Sequence, residues 1–427
     1  MIRVKNKKTH VFMLILLLIL GIGFAALAAT LKINGTITID SAKWDVHFEN
    51  VQITEGSVTA TTVPTSDDAT TTEITYAVNF TQPGDFYEFT VDIANDGSID
   101  AMVNLVTNKV YSSDGETERT LPTYLKSTVT YIDGVEIQPN QLLAKQTSEK
   151  IKVRVEFKSD VNPGDLPSSA DTIVFKFVGN FKQADENACP KATSFQDDSW
   201  ETIQCNVKQN TQSYAVGSTK NIEMDLDNDN TNETYILRVA NNTTPSECST
   251  QGFSQTACGF VVEFKDVILE QAMYSKITST GGWESSDIRK YLNSEAAFIS
   301  KLPTKLKNSI IDTTVISGHN NLETSNFNTT DKIYLLDSVE IYGSSFIDSK
   351  HTAKEYERQL DYYNEQGISE RNYVGAAKKY QNRNNTWWLR SSSTDGEYYF
   401  FLVTSSGSSY NDTVNVERGV SPAFRIG

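Results

Sequence analysis

Three groups of side chains in this sequence have types and spacings that chemistry could use. Asp225, Asp227 and Asp229 alternate in the run DLDNDNTNET (225–234). Carboxylates on a flexible turn make the oxygen-rich site that calcium takes, so calcium is the expected ion at Asp225, Asp227 and Asp229. The EF-hand pattern is incomplete, with Asn230 where glycine is required and Ile236 where the closing glutamate is required. The plainer reading of the same residues is an acidic turn between two strands. Second, the four cysteines, Cys189, Cys205, Cys248 and Cys258, can pair in three ways. Bonds between sequence neighbours, Cys189–Cys205 and Cys248–Cys258, are the simplest and are expected here. A four-thiolate zinc site is the rival, but such sites use two closely spaced pairs. A thiol nucleophile would want a histidine, and His10, His47, His319 and His351 all lie far from the cysteines in sequence. Third, WWLRSSSTDGE (387–397) ends in a polar run, which makes Arg390, Ser391, Ser393, Asp395 and Glu397 a candidate ligand loop. No Ser/His/Asp set, phosphate loop or carboxylate pair stands out, so no catalytic residue is assigned.

Adjacent side chains on a strand point to opposite faces. Trp387 and Leu389 are therefore expected in the core near Phe424 and Ile426. Trp388 covers the other face, with Arg390 stacked on a ring or paired to an acid. The elements that must carry these groups differ between the two halves. In residues 30–182, Phe89, Val91 and Ile93 alternate with Glu88, Thr90 and Asp92, and Ile151, Val153, Val155 and Phe157 repeat the pattern. Asn95 to Gly97 read as a turn between two strands. Short strands with turns between them and no helical period imply an all-β sandwich. The stretch 183–200 is poor in branched apolar residues and reads as a linker.

Residues 201–427 mix both periods and imply an α+β domain. ETYILRVANN, CGFVVEFKDVIL, KIYLLDSVEIYG, NTWWLRSSS, EYYFFLVTSSG and VSPAFRIG read as strands. Ile288, Tyr291, Leu292 and Ile299 share one helical face, and LPTKLKNSII gives a short helix opened by Pro303. TAKEYERQLDYYNEQG (352–367) reads as the best helix in the chain, with a Thr352/Glu355 capping box, an Ala353–Tyr356–Leu360–Tyr363 stripe and a stop at Gly367.

The chain has 54 acids against 38 bases, a net charge of −16, which argues against a nucleic-acid partner. Basic residues Arg3, Lys5, Lys7 and Lys8 precede the uncharged apolar run Val11–Ala29, and Ala26-Leu27-Ala28 fits a signal-peptidase site. Residues 1–29 are thus expected to be a cleaved signal peptide or, uncut, a transmembrane anchor holding the rest of the chain outside. That segment is the only membrane contact expected. The even cysteine count agrees with an oxidising, extracellular setting.

The long apolar segment ending FAALAAT, the Pro83–Asp85 PGD and the run FTVDIANDGSIDA resemble exported β-sandwich proteins of Gram-positive bacteria, the biofilm fibre subunits and the camelysin group. Some of those relatives are classed as metallopeptidases. This half has no HExxH and His47 as its one histidine, so that activity is not carried over. GGWESSDIRKYLN, LPTKLKNSII, DKIYLLDSVE, WWLRS and GVSPAFRI resemble an uncharacterised C-terminal domain family of bacterial surface proteins. The WWLRS…GVSPAFRI pair is similar to the closing strands of C-type-lectin-like domains of the formylglycine-generating-enzyme type. That enzyme needs copper-binding cysteines, which these four do not obviously provide. The expectation is an exported surface or matrix protein without enzymatic activity, binding a cell-surface glycan or protein ligand, or self-assembling. An enzyme carried by the second domain (a hydrolase or oxidase) and a structural fibre subunit are the alternatives.

Overall fold

A computed structural model describes residues 42–65, 71–167, 173–211 and 214–427. The expected signal or anchor segment, 1–29, lies outside the described residues. Among the described residues no helix is long and apolar enough to cross a membrane.

The first half is a β-sandwich. One sheet pairs β1 (Val46–Gly56), β4 (Phe86–Asn95), β9 (Thr147–Phe157) and β7 (Leu125–Tyr131) in that order. The other runs β2 (Ala60–Thr62), β3 (Glu73–Val78), β10 (Val174–Gln183), β5 (Ala101–Tyr111) and β6 (Glu118–Arg119), with β8 (Leu142–Leu143) also paired to β5. The inward residues of β9 are Ile151, Val153, Val155 and Phe157, all buried, as the alternation requires. Rings from both sheets meet between them, for example Phe48 stacked on Phe177 at 4.8 Å. Two details depart from the sequence reading. Glu88 and Thr90 are buried although they face outward, because β4 is a central strand flanked on both sides, and Arg154 and Thr54 also bond Glu88. The Asn95–Gly97 turn does not close a hairpin. It passes the chain from one sheet to the other, and Asn95 Nδ2 ties it down by donating to the carbonyls of Ile99 and Leu143.

The 183–200 stretch is anchored rather than loose. Cys189 N donates to Asn140 O at 2.9 Å and Leu142 N to Cys189 O at 2.7 Å, so this stretch pairs against the sandwich. Lys191 bonds Asp133 and lies over the Tyr131 ring. Ala192 and Phe195 enter the second core, and α1 (Trp200–Gln209) follows, capped by the Ser199 side chain.

The second half is α+β. Strands β11 (Thr219–Met224), β12 (Glu233–Asn241), β13 (Val261–Phe264), β25 (Pro422–Ile426) and β15 (Ile310–Ile311) form one sheet, joined by β18 (Tyr334–Leu335). A second sheet orders β14 (Leu269–Ala272), β24 (Glu417–Val420), β21 (Trp387–Ser392), β22 (Tyr399–Val403) and β23 (Ser409–Thr413). Two hairpins, β16 (Thr313–Ser317) with β17 (Phe327–Asp331) and β19 (Lys378–Tyr380) with β20 (Arg383–Asn385), flank them. The helices are short: α2 (Gly282–Ser285), α3 (Asp287–Leu292), α4 (Thr304–Ser309), α5 (Ser338–Tyr342) and α6 (Asp361–Glu365). One continuous core runs from Ala192 to Ile426 through both sheets.

Helix boundaries are where sequence and structure part. The expected helix over 352–367 is broken into a single turn at Lys354–Tyr356, an extended stretch, and α6. Thr352 Oγ1 caps nothing there. It donates to Asn326 Oδ1 and accepts from His319 N. The strand read in KIYLLDSVEIYG stops after β18, because Asp337 and Glu340 form a capping box that starts α5. The helical face expected through Ile299 likewise ends at Leu292, and Ile299 packs from a separate turn.

Candidate functional site: a cleft beside a buried acid–histidine cluster

Strand β21 lies in the middle of its sheet, so both of its faces are covered. Trp387, Trp388, Leu389, Arg390, Ser391 and Ser392 are all fully buried. Trp387 Nε1 donates to Ala376 O and Trp388 Nε1 to Gln271 O, which satisfies both indoles without water. Pairing with β22 lapses between Trp388 and Ser392. In that gap the chain turns to other partners, with Arg390 N donating to Leu336 O.

The Arg390 side chain therefore points inward, and the candidate ligand loop is corrected accordingly. Arg390, Ser391 and Ser393 are completely buried and cannot meet an external ligand. Ser391 Oγ accepts from Gly318 N, and Ser393 N donates to Tyr399 O. Only Asp395 and Glu397 of that set are exposed, and Asp395 is paired with Lys350 at 2.9 Å.

Arg390 makes a bond with every donor it has. Nε donates to Ile316 O, Nη1 to Leu335 O and Glu340 Oε2, and Nη2 to Glu340 Oε1 and Glu357 Oε1, at 2.7–3.0 Å. Glu340 is saturated as well, accepting further bonds from Asp337 N and from the Thr256 hydroxyl. A fork-to-fork pair with every lone pair used is the arrangement in which a buried charge can persist. It locks together β16, β18, α5 and the extended segment around Glu357.

Beside this pair lies a second group that is not saturated. His351 Nε2 is 2.5 Å from Asp337 Oδ1 and 4.0 Å from Glu357 Oε2. All three side chains are fully buried, and the imidazole is packed against Phe346 and Phe401. Asp337 Oδ2, Glu357 Oε2 and His351 Nδ1 have no hydrogen-bond partner. Burial opposes ionisation of Asp337, but His351 and Arg390 outweigh it and hold the carboxyl well below the usual range. Burial, reinforced by the Asp337 charge, pushes Glu357 well above the usual range.

On one side His351 forms part of the wall of a cleft of about 650 Å3, which is also lined by His319, Asn326, Phe327, Asn328 and Tyr356. Tyr356 and Asn328 are exposed, and His319 and Phe327 are half-buried. His319 Nδ1 is held by Asn320 O, which leaves Nε2 for a ligand. The walls come from the β16–β17 hairpin and the broken 349–356 segment, both fixed from behind by the Arg390 network.

In the acidic turn, ligand atoms of Asp225, Asp227 and Asp229 lie within 4.8 Å of one another. Its carboxylates already accept from Asn228, Asp229, Asn230 and Thr231 backbone amides. The cysteines are bonded as Cys189–Cys205 and Cys248–Cys258.

Sequence reasoning missed Asp337, His351 and Glu357 as a group. A local signal existed for one of them, since DSVE at 337–340 fits the capping-box pattern. Nothing local joins His351 to Glu357 and Arg390.

Residues 261–427 match DUF6273, a domain of unknown function. The matched span contains Asp337, His351, Glu357, Arg390 and the whole cleft rim named above, but not β11 and β12, which belong to the same sheet. No curated protein and no solved structure matches the chain.

Proposed function

We propose that this is an exported surface or matrix protein whose second domain binds a cell-surface glycan in the cleft bounded by His319, Phe327, Asn328 and Tyr356. The observation that carries this reading is the cleft itself. It presents two aromatic faces and several polar side chains from segments braced by a saturated ion pair. Sugars are recognised by that mixture, an apolar face for the ring and a few fixed polar groups for the hydroxyls. Prior bracing of the rim reduces the ordering cost of binding. The two disulfides fit an extracellular setting. The likeness of the first half to exported sandwich proteins, and of the closing strands to C-type-lectin-like domains, supports the same reading. The sandwich then serves as the stalk.

Binding of the purified chain to an array of bacterial and host glycans tests this. Wild type is expected to select a family of glycans, and Tyr356→Ala and Asn328→Ala are expected to lose at least tenfold in affinity, about 1.4 kcal/mol. Unchanged selectivity in both variants would remove the cleft from the account.

A further inference from the structure

We propose that Asp337, His351 and Glu357 together bind one divalent transition-metal ion of the zinc or manganese class, behind the His351 wall of the cleft. This holds whether or not the cleft takes a glycan. Three observations lead to it. The first is geometric. One ligand atom from each residue falls within a 4.8 Å group, and all three side chains are fully buried. The second concerns bonding. Asp337 Oδ2 and Glu357 Oε2 are buried with no donor from any other residue, and a proton on Glu357 is the one thing that joins them to each other. Buried polar atoms are rarely left so, and a cation satisfies both at once. The third is charge. Arg390 and Glu340 neutralise each other through two direct bonds. Without an ion, burial and the Asp337 charge keep Glu357 protonated, so a divalent ion takes the place of that proton and balances the two carboxylates.

Supporting contacts orient the two carboxylates, as outer contacts do in metal sites, while His351 Nδ1 has no partner of its own. Arg390 Nη2 holds Glu357 Oε1 at 2.8 Å and so leaves Oε2 to coordinate. Val339 N holds Asp337 Oδ1 and leaves Oδ2. His351 Nε2 lies in the group, hydrogen-bonded to Asp337 Oδ1 at 2.5 Å, and coordination replaces that bond. An imidazole nitrogen with two carboxylates favours zinc or manganese over calcium and magnesium, which take oxygen ligands. Three protein ligands leave further positions for water or for a ligand group. On binding, Glu357 releases its proton to solvent and His351 coordinates as a neutral ring with its proton on Nδ1. The rival is a proton on Glu357 shared with Asp337, with no metal.

Metal content and melting temperature of the full chain distinguish the two. After chelation and dialysis, zinc or manganese should return to one ion per chain and raise the Tm, and calcium and magnesium should do neither. Glu357→Gln and Asp337→Asn should lose the bound ion, and Asp227→Asn in the acidic turn should keep it. Wild-type titration decides the matter even if a variant fails to fold. No bound zinc or manganese with an unmoved Tm would overturn the proposal, and so would loss of the ion in Asp227→Asn with retention in Glu357→Gln.

Discussion

Arg390 is the residue on which the second domain turns. It was legible as an arginine that would meet an acid, but its depth was not. The alternation of β21 predicts that its two tryptophans point to opposite faces, and a central strand between two layers is closed on both. Removing one partner of a buried, saturated pair leaves the others charged and dry, and that usually costs about 3–5 kcal/mol. Arg390→Met is therefore expected to lower the unfolding free energy by about that amount in denaturant titration. Arg390→Lys should recover only part of it, since an ammonium cannot make the two parallel bonds to Glu340. Equal stability of Arg390→Met and wild type would mean that the network is not ionised. Trp387 is a packing residue, buried and bonded to Ala376 O. Trp387→Ala should cost about 3–5 kcal/mol in the same measurement. An unchanged melting temperature would return the tryptophans to a ligand-binding role.

At the scale of elements, strands were easier to read than helices. β9 follows its period-2 pattern residue by residue, because one face meets the sandwich core and the other meets water. The 352–367 segment has good helical spacing and still breaks. Glu357 is drawn to Arg390 and His351, while Arg358 donates to Asn241 and Ala257 O and pairs with Asp361. Distant partners outweigh a local preference worth only a fraction of a kcal/mol per residue. The contact of β19 with β13 has a consequence for pH. Lys378 is buried against Glu263 and the carbonyl of Phe264. Burial lowers its pKa to about 8 despite the opposing pull of Glu263, against about 10.4 in an unfolded chain. Between those values the unfolded state binds more protons, so unfolding free energy gains from this lysine as pH rises, at up to about 1.4 kcal/mol per pH unit. Denaturant titrations from about pH 8 to 9.5 should show that rise in wild type and a flatter profile in Lys378→Met. Parallel profiles would show that Lys378 keeps an ordinary pKa.

At the scale of the molecule, the change from period-2 strands to a mixed pattern marked the two halves. The anchoring of the stretch between them depended on Cys189 and on backbone bonds that no sequence pattern encodes. Cys189 pairs with the sandwich through its backbone and with α1 through its sulfur. Closing a loop of 16 residues contributes about 3 kcal/mol on chain-entropy grounds. Cys189→Ala with Cys205→Ala should thus lower the melting temperature and open the 183–200 stretch to protease, while the cleft keeps its ligand. The cleft itself was not legible, because its rim joins residues from 319 to 356 that are distant in sequence and are braced by contacts to Arg390. The most direct test of the whole account is hydrogen exchange with and without the best glycan from the array. Protection confined to 316–328 and 349–356 is the predicted result, and protection confined to 391–397 or to the sandwich would contradict it.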